Sequence, residues 1–172
     1  MDLKENEIQI TDNYLPQEQF ESISDKIFDE GSRDKLYFNY ISGVNYQDDG
    51  GFMFTANLID KVQSSDALYF FGDFFAKLNP SAVARAKVNI ITKTETSIRH
   101  GWHIDYEKDV VSKCLKTSIL YLNTTNGKTY FKNGKSIDCV ANRLVTFPFY
   151  MEHASSTQTD ENIRAVLNVN WY

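Results

Sequence analysis

Arg164-Ala165-Val166-Leu167-Asn168-Val169-Asn170-Trp171-Tyr172 is a stretch whose side chains alternate in polarity. A period of two is typical of a β-strand, in which successive side chains point to opposite faces of a sheet. One face is apolar and predicts a core contact: it carries Ala165, Leu167, Val169 and Trp171. The other face is half polar, which is unusual inside a β-sandwich unless it lines a solvated pocket: it carries Arg164, Val166, Asn168 and Asn170.

Short runs of similar character precede this strand from residue 84 onward, with turn residues between them. They are rich in β-branched and aromatic residues and cover residues 86–92, 97–105, 117–123, 128–132 and 143–147. Asn126-Gly127 and Asn133-Gly134 are typical of tight hairpin turns. Many short strands at this spacing predict a sandwich or barrel.

The first half of the chain carries two helix signals. Pro16 suits a first helical turn, and apolar residues follow at helical spacing as far as Phe28. A second helix is predicted to begin at Ser64 or Ser65 and to stop before Pro80. We therefore predict an α+β, mainly β fold, in which two helices pack outside a β-sandwich.

Between these helices, residues 36–41 predict a strand and residues 42–57 predict a mobile loop. The loop contains several glycines together with aromatic residues. Residues 43–56 are a candidate substrate lid, although an ordinary surface loop has the same composition.

The composition is that of one globular domain. The chain has 172 residues, 42% of them hydrophobic, with 12 Phe and 10 Tyr. We expect a single domain over 1–172, with helical support and the loop in 1–83 and the β core in 84–172. No apolar run is long enough for a membrane span, and the acidic, polar N-terminus argues against a signal peptide. Cys114 and Cys139 have no metal-ligand or redox spacing, which favours a cytoplasmic location.

The charge is unevenly distributed along the chain. Residues 1–80 carry 6 Lys/Arg and 15 Asp/Glu, a net −9, whereas residues 81–172 carry 12 and 8, a net +4. The basic half suits an anionic small ligand, although mixed solvated faces produce the same balance. No basic stripe is present, so we expect no nucleic-acid partner.

The three histidines are His100, His103 and His153. His103 and Asp105 are two residues apart in a strand-like run, so both side chains project from one face. His153 comes after the apolar run 144–147. Two histidines and one carboxylate together can bind Fe(II) and leave coordination positions open for a cosubstrate and O₂. A structural zinc site would need a fourth ligand, and none is apparent. His100 is three residues before His103, so in a strand its side chain points to the opposite face. We therefore expect His100 not to be a metal ligand, but to be exposed or to lie behind the ligands.

Arg164 lies on the half-polar face of the last strand. A buried arginine is costly without an anionic partner. A dicarboxylate is a suitable partner because the guanidinium binds a carboxylate through two parallel hydrogen bonds. A structural salt bridge is the alternative.

The order His103-x-Asp105, then His153, then Arg164 resembles the 2-oxoglutarate/Fe(II)-dependent oxygenases. It is most similar to their prolyl-hydroxylase-like branch, in its compact bacterial and phage forms. Two runs resemble that branch's core strands around the iron: Ser118-Ile119-Leu120-Tyr121-Leu122-Asn123 and Asn142-Arg143-Leu144-Val145-Thr146-Phe147. The similarity covers residues 84–172 well and the first half by architecture only.

This resemblance implies a double-stranded β-helix, or jelly roll, with the metal in one mouth. His103, Asp105 and His153 would be iron ligands, and Arg164 would bind the 5-carboxylate of 2-oxoglutarate. Tyr121 matches a family tyrosine whose hydroxyl reaches that carboxylate, and Asn168 is a further candidate for the same pocket. The implied reaction uses Fe(II), 2-oxoglutarate and O₂, forms succinate and CO₂, and hydroxylates a substrate; ascorbate is a candidate reductant.

The sequence also departs from that branch. A further family tyrosine before the first histidine is missing from residues 90–93, and the family's glycine pair is reduced to Gly127 followed by Lys128. The substrate therefore stays open: a prolyl or other residue of a peptide or protein, or a small molecule. Two other functions fit the fold. One is a cupin-type metalloenzyme without 2-oxoglutarate, which leaves Arg164 unexplained; the other is a non-catalytic jelly-roll binding module.

Overall fold

The computed structural model describes residues 7–31, 34, 36–44, 51–60, 63–105 and 115–172. Most of these residues are in β-strands or the loops between them. The strands are β1 (Gln9–Thr11), β2 (Asn39–Ser42), β3 (Phe52–Asp60), β4 (Gln63–Ser64), β5 (Val83–Thr92), β6 (Lys116–Tyr121), β7 (Thr125–Phe131), β8 (Ser136–Cys139), β9 (Leu144–Pro148), β10 (His153–Ser155) and β11 (Ile163–Trp171). The helices are α1 (Gln17–Phe28), a 3₁₀-helix (Asp66–Phe71) and α2 (Gly72–Leu78).

The strands form two antiparallel sheets. The larger, here called the major sheet, has the order β1-β9-β6-β11-β5-β3-β2, with β4 paired to β3. The smaller, here called the minor sheet, has the order β10-β7-β8. β11 lies at the centre of the major sheet, between β6 and β5. Four strands that end before residue 84, namely β1, β2, β3 and β4, also belong to this sheet, so the first half contributes strands as well as helices.

The core has two parts, one on each face of the major sheet. The outer face packs against the helices, where Phe20, Ile23 and Phe74 contact the layer that contains Leu167. The inner face packs against the minor sheet through a second cluster that includes Phe131. Full burial of each such side chain is worth about 1.5–3 kcal/mol. The layers are therefore helices, major sheet and minor sheet.

The alternation predicted for the last strand is confirmed. Ala165, Leu167 and Val169 belong to the helix-side core. Arg164, Asn168 and Asn170 point to the inner face, where all three are buried. The half-polar face therefore lies between the two sheets, where a cavity is found.

Helices occupy both positions predicted for them. α1 begins directly after Pro16, and its buried side chains are Phe20 and Ile23. The second helical segment is divided into a 3₁₀-helix and α2. Ser65 caps its start, since its Oγ accepts a hydrogen bond from the N–H of Ala67 at 3.2 Å. Asn79, with φ 50°, ends it before Pro80. No helix in the described part of the chain is long and apolar enough to cross a membrane.

Two local predictions for the second half of the chain are wrong. Residues 97–105 do not form a strand and make only two isolated bridges, Arg99 with Ser156 and His103 with His153. Asn126-Gly127 is not a turn, because both residues lie in β7, where the register with β8 shifts between Thr125 and Lys128. The Asn133-Gly134 turn is present, and Gly134 supplies its positive φ of 90°.

The predicted loop over 42–57 is wrong at its first residue, because Ser42 ends β2, and for its last six residues. Phe52 to Asn57 belong to β3, which pairs with both β2 and β5. The aromatic residues of this segment form cross-strand contacts, such as Tyr40 with Phe54 at 6.1 Å between ring centroids. Residues 45–50 of the candidate lid lie outside the described residues, as does Cys114.

Candidate functional site

His103 and His153 are brought together by a backbone pairing. The N–H of each residue donates to the carbonyl of the other at 3.0 Å. Directly opposed residues of an antiparallel pair present their side chains on the same face. The two imidazole rings accordingly lie 4.4 Å apart between centroids. One short bridge thus replaces the regular strand that the sequence predicted, and it places two potential metal ligands side by side.

Asp105 completes a group of three donors. Its carboxylate and the ring nitrogens of His103 and His153 offer ligand atoms that all lie within 4.8 Å of one another. Two imidazoles and one carboxylate are suitable for a divalent iron that keeps open coordination positions. Among the described residues, this is the group that could hold a metal ion. The three side chains singled out from the sequence therefore converge.

The protonation states fit metal binding. His153 Nδ1 lies 3.0 Å from the carbonyl oxygen of Met151, which can only accept, so Nδ1 carries the proton and Nε2 is free for a metal. Burial, with a contribution from His153, lowers the pKa of His103 to about 4, which leaves its ring neutral at pH 7. Burial opposes ionisation of Asp105, yet interactions with His153, Arg85 and His103 hold its pKa well below the usual range.

Asp105 is held by three donors that the sequence did not identify. Arg85 Nη2 donates to its Oδ1 at 3.1 Å. Thr117 Oγ1 and Asn170 Nδ2 donate to its Oδ2 at 3.0 and 2.9 Å. Asn170 also accepts from Arg85 Nε at 3.0 Å, so the donors support one another. In the sequence, only the position of Asn170 on the polar face of the last strand points to a role for this residue. Arg85 and Thr117 lie opposite Asn170 in the neighbouring strands, which the sequence does not show.

Arg164 is a buried cation without an anion. It is 2% exposed, and no carboxylate of the described chain forms an ion pair with it. Its Nη2 donates to Thr129 Oγ1 at 3.1 Å, while its Nε has no hydrogen-bond partner. A buried guanidinium in this state favours an anionic ligand, because desolvation is otherwise uncompensated. Within the described ranges, Arg164 does not form the structural salt bridge that was the alternative from the sequence.

Gly127 leaves room for the Arg164 side chain. A Cβ added at this position would lie 2.9 Å from Arg164 Cδ and 3.3 Å from the carbonyl oxygen of Ser156. Any larger residue would therefore force Arg164 or the backbone to shift. This explains why a glycine stands in β7 at the place where the local sequence predicted a turn.

Tyr121 reaches Arg164 through Thr129. Its hydroxyl donates to Thr129 Oγ1 at 2.8 Å, and its ring lies under the Arg164 guanidinium, 5.5 Å from centroid to Cζ. Burial raises the pKa of Tyr121 to about 12, so the phenol stays protonated and donates. Since Thr129 Oγ1 accepts from both residues, its own proton is available for a ligand. Thr129, which the sequence did not suggest, therefore stands between the two predicted residues.

One cavity between the sheets joins these groups. Its lining includes His103, Asp105, His153, Arg164 and Asn168. The buried Oδ1 of Asn168 has no hydrogen-bond partner, so this side chain is also incomplete without a ligand. Tyr121 is not part of the lining itself. Five of the six predicted site residues thus face one space.

His100 lies apart from the three donors. It is 6% exposed, so it is buried rather than at the surface, and its Nδ1 lies 2.9 Å from Ser155 Oγ. Cys139 is a buried free thiol.

No protein-family model and no curated protein sequence matches the chain. Solved structures match it over nearly its full length. A prolyl-4-hydroxylase from Pseudomonas putida superposes with a TM-score of 0.65 at 13% identity, over 96% of this chain and 92% of the other. A 2OG-Fe(II) oxygenase family oxidoreductase from Burkholderia pseudomallei gives 0.63 at 10% identity, over 95% and 84%. The non-haem alpha-ketoglutarate-dependent epimerase SnoN of nogalamycin biosynthesis gives 0.65 at 12%, over 96% and 76%.

These similarities are structural, since the identities are too low to specify chemistry. They extend across both the helical and the β-rich parts of the chain. The structural resemblance predicted from four residues is confirmed: the chain shares its fold with 2-oxoglutarate/Fe(II) oxygenases and prolyl-4-hydroxylase-like proteins.

Proposed function

We propose that this protein is a 2-oxoglutarate-dependent Fe(II) dioxygenase that hydroxylates its substrate, built on a double-stranded β-helix in a single domain. One observation carries the proposal. The same cavity contains three converging metal donors, His103, Asp105 and His153, and a buried arginine that lacks an anion. A metal and a carboxylate ligand would satisfy both halves of the cavity at once.

His103, Asp105 and His153 would hold the iron. The neutral ring of His103 and the ionised carboxylate of Asp105 are the protonation states that a divalent metal requires. Arg85, Thr117 and Asn170 keep the carboxylate oriented. Phe147 packs edge-on against the ring of His153, at 4.9 Å between centroids, and shields it from water.

Arg164 would bind the 5-carboxylate of 2-oxoglutarate, with Thr129, Asn168 and Tyr121 in support. The guanidinium supplies charge and two parallel donors, and the hydroxyl of Thr129 supplies a third. When bound, Fe(II), 2-oxoglutarate and O₂ supply oxidising power, with succinate and CO₂ as the products of the cosubstrate. The residues around Arg164 then have the task of fixing the direction in which the cosubstrate enters the cavity.

The alternatives explain less of the cavity. A cupin-type metalloenzyme that does without 2-oxoglutarate accounts for the donors but leaves Arg164 without its anion. A non-catalytic binding module accounts for neither the convergence nor the protonation states. We propose hydroxylation as the reaction, of a prolyl or other amino-acid residue or of a small molecule, in a cytoplasmic setting with ascorbate as a candidate reductant. The partners would be the cosubstrate and this substrate, without nucleic acid.

Anaerobic titration tests the proposal. Fe(II) and then 2-oxoglutarate are added to the purified protein while the visible spectrum is recorded. We expect a weak metal-to-ligand charge-transfer band that saturates at one equivalent of each. Protein that binds Fe(II) but gives no band and no 2-oxoglutarate isotherm would contradict the proposal and favour the cupin-type enzyme.

A further inference from the structure

Lys87 lies on the inner face of the major sheet at the wide end of the cavity. In the register of the sheet it stands opposite Asn168 of β11 and Asn57 of β3. Arg85 precedes it by two residues and therefore shares its face. Both side chains line a groove of about 410 Å³ that opens beside His103 and Asp105.

The rest of the groove wall is largely apolar. It includes Ile41 of β2, Val44 just after that strand, Met53 of β3, and Ile104. A groove of this kind is suitable for a ligand with an apolar body, and its few polar groups determine which ligand is accepted. Of the charged residues on this wall, Lys87 is the one that has no evident task in the proposed metal or cosubstrate site.

The charge of Lys87 is poorly compensated. In the described part of the chain no carboxylate lies within 4.0 Å of its ammonium group, and Arg85 pairs with Asp105 instead. Asp60, the acidic residue opposite Arg85 on β3, is exposed. Burial and the neighbouring Arg85 lower the pKa of Lys87, while Asp105 and Asp60 oppose them. The side chain thus has the cost of a partly buried cation without the ion pair that normally offsets it.

The position of Lys87 separates it from the Arg164 end of the cavity. Arg164 stands opposite Ile91, four residues along β5 from Lys87. Four residues of a strand span about 13 Å. The two cations therefore start from well-separated backbone positions, which favours an anion at Lys87 that is a different group from the one expected at Arg164.

We propose that this groove binds an anionic group of the primary substrate, a carboxylate or a phosphate, with Lys87 as its counter-ion. The inference rests on the proposed function, which makes the groove the approach to the metal donors. It also follows from the balance of charge. Among the described residues that line the cavity and the groove, iron and Arg164 would be balanced by Asp105 and the two carboxylates of the cosubstrate, which leaves a net positive charge on the groove wall. A substrate with one or two negative charges restores neutrality.

Calorimetry with three matched probes tests this site. Protein loaded anaerobically with Fe(II) and saturating 2-oxoglutarate is titrated with phenylacetate, benzyl phosphate and the neutral phenylacetamide. The probes share one apolar body and differ in charge. We expect the anions to bind at least about tenfold more tightly than the amide, the effect of one partly desolvated charge pair. The anion that binds more tightly then indicates whether the substrate carries a carboxylate or a phosphate.

Variants assign the preference to Lys87. Lys87→Met should remove the anion preference and Lys87→Arg should retain it. Lys93→Met is the control: it removes an equal charge from an exposed residue just beyond β5 and should leave the preference unchanged. The 2-oxoglutarate affinity of Lys87→Met should stay within about twofold of wild type, which also shows that this variant is folded.

Several results would overturn the inference. These are equal affinity for all three probes, no anion binding at millimolar concentration, or a preference that survives in Lys87→Met. A loss of 2-oxoglutarate affinity in Lys87→Met equal to that of Arg164→Met would instead assign Lys87 to the cosubstrate. Failure of the proposed function is visible separately, because the wild-type protein would then give no 2-oxoglutarate isotherm before any probe is added. The probe preference of the metal-loaded protein would still decide the Lys87 site.

Discussion

The two ends of the cavity are opposites in charge and in completeness. At the Asp105 end, a buried anion accepts hydrogen bonds from Arg85, Thr117 and Asn170. At the Arg164 end, a buried cation has the Thr129 hydroxyl as its one hydrogen-bond acceptor among the described residues. The charged residue is buried at both ends, so exposure to solvent does not explain the difference.

This difference separates what folding completes from what binding completes. The Asp105 end has its partners within the chain, so it contributes to stability and presents the carboxylate in a fixed orientation. At the Arg164 end the desolvation of the guanidinium is not compensated by an ion pair, and an anionic ligand would compensate it. Substitutions at the two ends should therefore change stability in opposite directions, and that expectation makes the comparison testable.

The largest effect is expected for the metal. His103→Ala and His153→Ala should each weaken Fe(II) binding by more than about 100-fold, because two remaining ligands cannot compete with water and buffer. Anaerobic calorimetry measures this directly. Loss of binding in both variants would establish that the complete end of the cavity is the metal end.

His100→Gln is the matched control. His100 is also a buried histidine, yet it contacts Ser155 and stands outside the group of three donors. Its replacement should leave metal affinity within a few-fold of wild type. Unchanged affinity in both alanine variants would show that the three donors are not the metal site.

The next effect concerns Arg164. Arg164→Met should weaken 2-oxoglutarate binding to the anaerobic Fe(II) protein by about 2–4 kcal/mol, the scale for losing one partner of a desolvated charge pair. Arg164→Lys should recover only part of this, since a point charge cannot reproduce the guanidinium fork. In the absence of ligand, Arg164→Met should raise the melting temperature, because it replaces an uncompensated buried charge by an apolar side chain of similar length.

Arg143→Met supplies the contrast. Arg143 forms an ion pair with Asp12 near the surface, so its removal should lower stability slightly and leave 2-oxoglutarate affinity unchanged. Equal 2-oxoglutarate affinity for wild type and Arg164→Met would refute the cosubstrate role. A lower melting temperature for ligand-free Arg164→Met would refute the idea that this end is incomplete.

Asp105→Asn should lower the free energy of unfolding of the metal-free protein by about 1–3 kcal/mol. The new amide nitrogen would face groups that are themselves donors, and Arg85 would lose its anion. The effect should depend on pH. Because folding lowers the pKa of Asp105 from 3.8, its stabilisation is complete above that value and is lost as the pH falls below it. Denaturant unfolding of wild type and variant should therefore converge in acid.

Asp138→Asn is the control for this change. Asp138 pairs with Lys128 at the surface, where its side chain is 66% exposed. Its substitution should have an effect of less than about 0.5 kcal/mol at neutral pH. A similar small effect at Asp105 would mean that its three donors do not stabilise the fold.

Sequence periodicity predicted the face of β11 correctly, because a strand allows only two directions for a side chain. The alternation alone therefore places Arg164, Asn168 and Asn170 on one face. The sequence also predicts His103 and Asp105 on one face, but it does so by predicting a strand over residues 97–105. Their segment is not a regular strand, but the single bridge to His153 preserves the same orientation.

The residues that the sequence did not identify depend on pairing between distant segments. Arg85 meets Asn170 only because β5 and β11 align in one register. Thr129 meets Arg164 only because the minor sheet packs over the major sheet. Such contacts carry no local pattern, and at Asn126-Gly127 the local turn preference was outweighed by strand pairing. That Arg164 lacks an anionic partner among the described residues also depends on tertiary structure, because a sequence alone does not show which side chains form ion pairs.

The smallest effect should distinguish the two residues behind Arg164. Tyr121→Phe removes one hydrogen bond to Thr129 Oγ1 and keeps the ring under the guanidinium, so it should weaken 2-oxoglutarate binding by about 1 kcal/mol or less. Thr129→Val should cost more, because it removes the acceptor of two donors and the hydroxyl that faces the ligand. The measurement is the same anaerobic 2-oxoglutarate isotherm, and Ser118→Ala, a hydroxyl loss on the major sheet away from the cavity lining, is the control. If Tyr121→Phe costs more than Thr129→Val, the phenol contacts the cosubstrate directly, as the sequence resemblance implied, and Thr129 is not its intermediary.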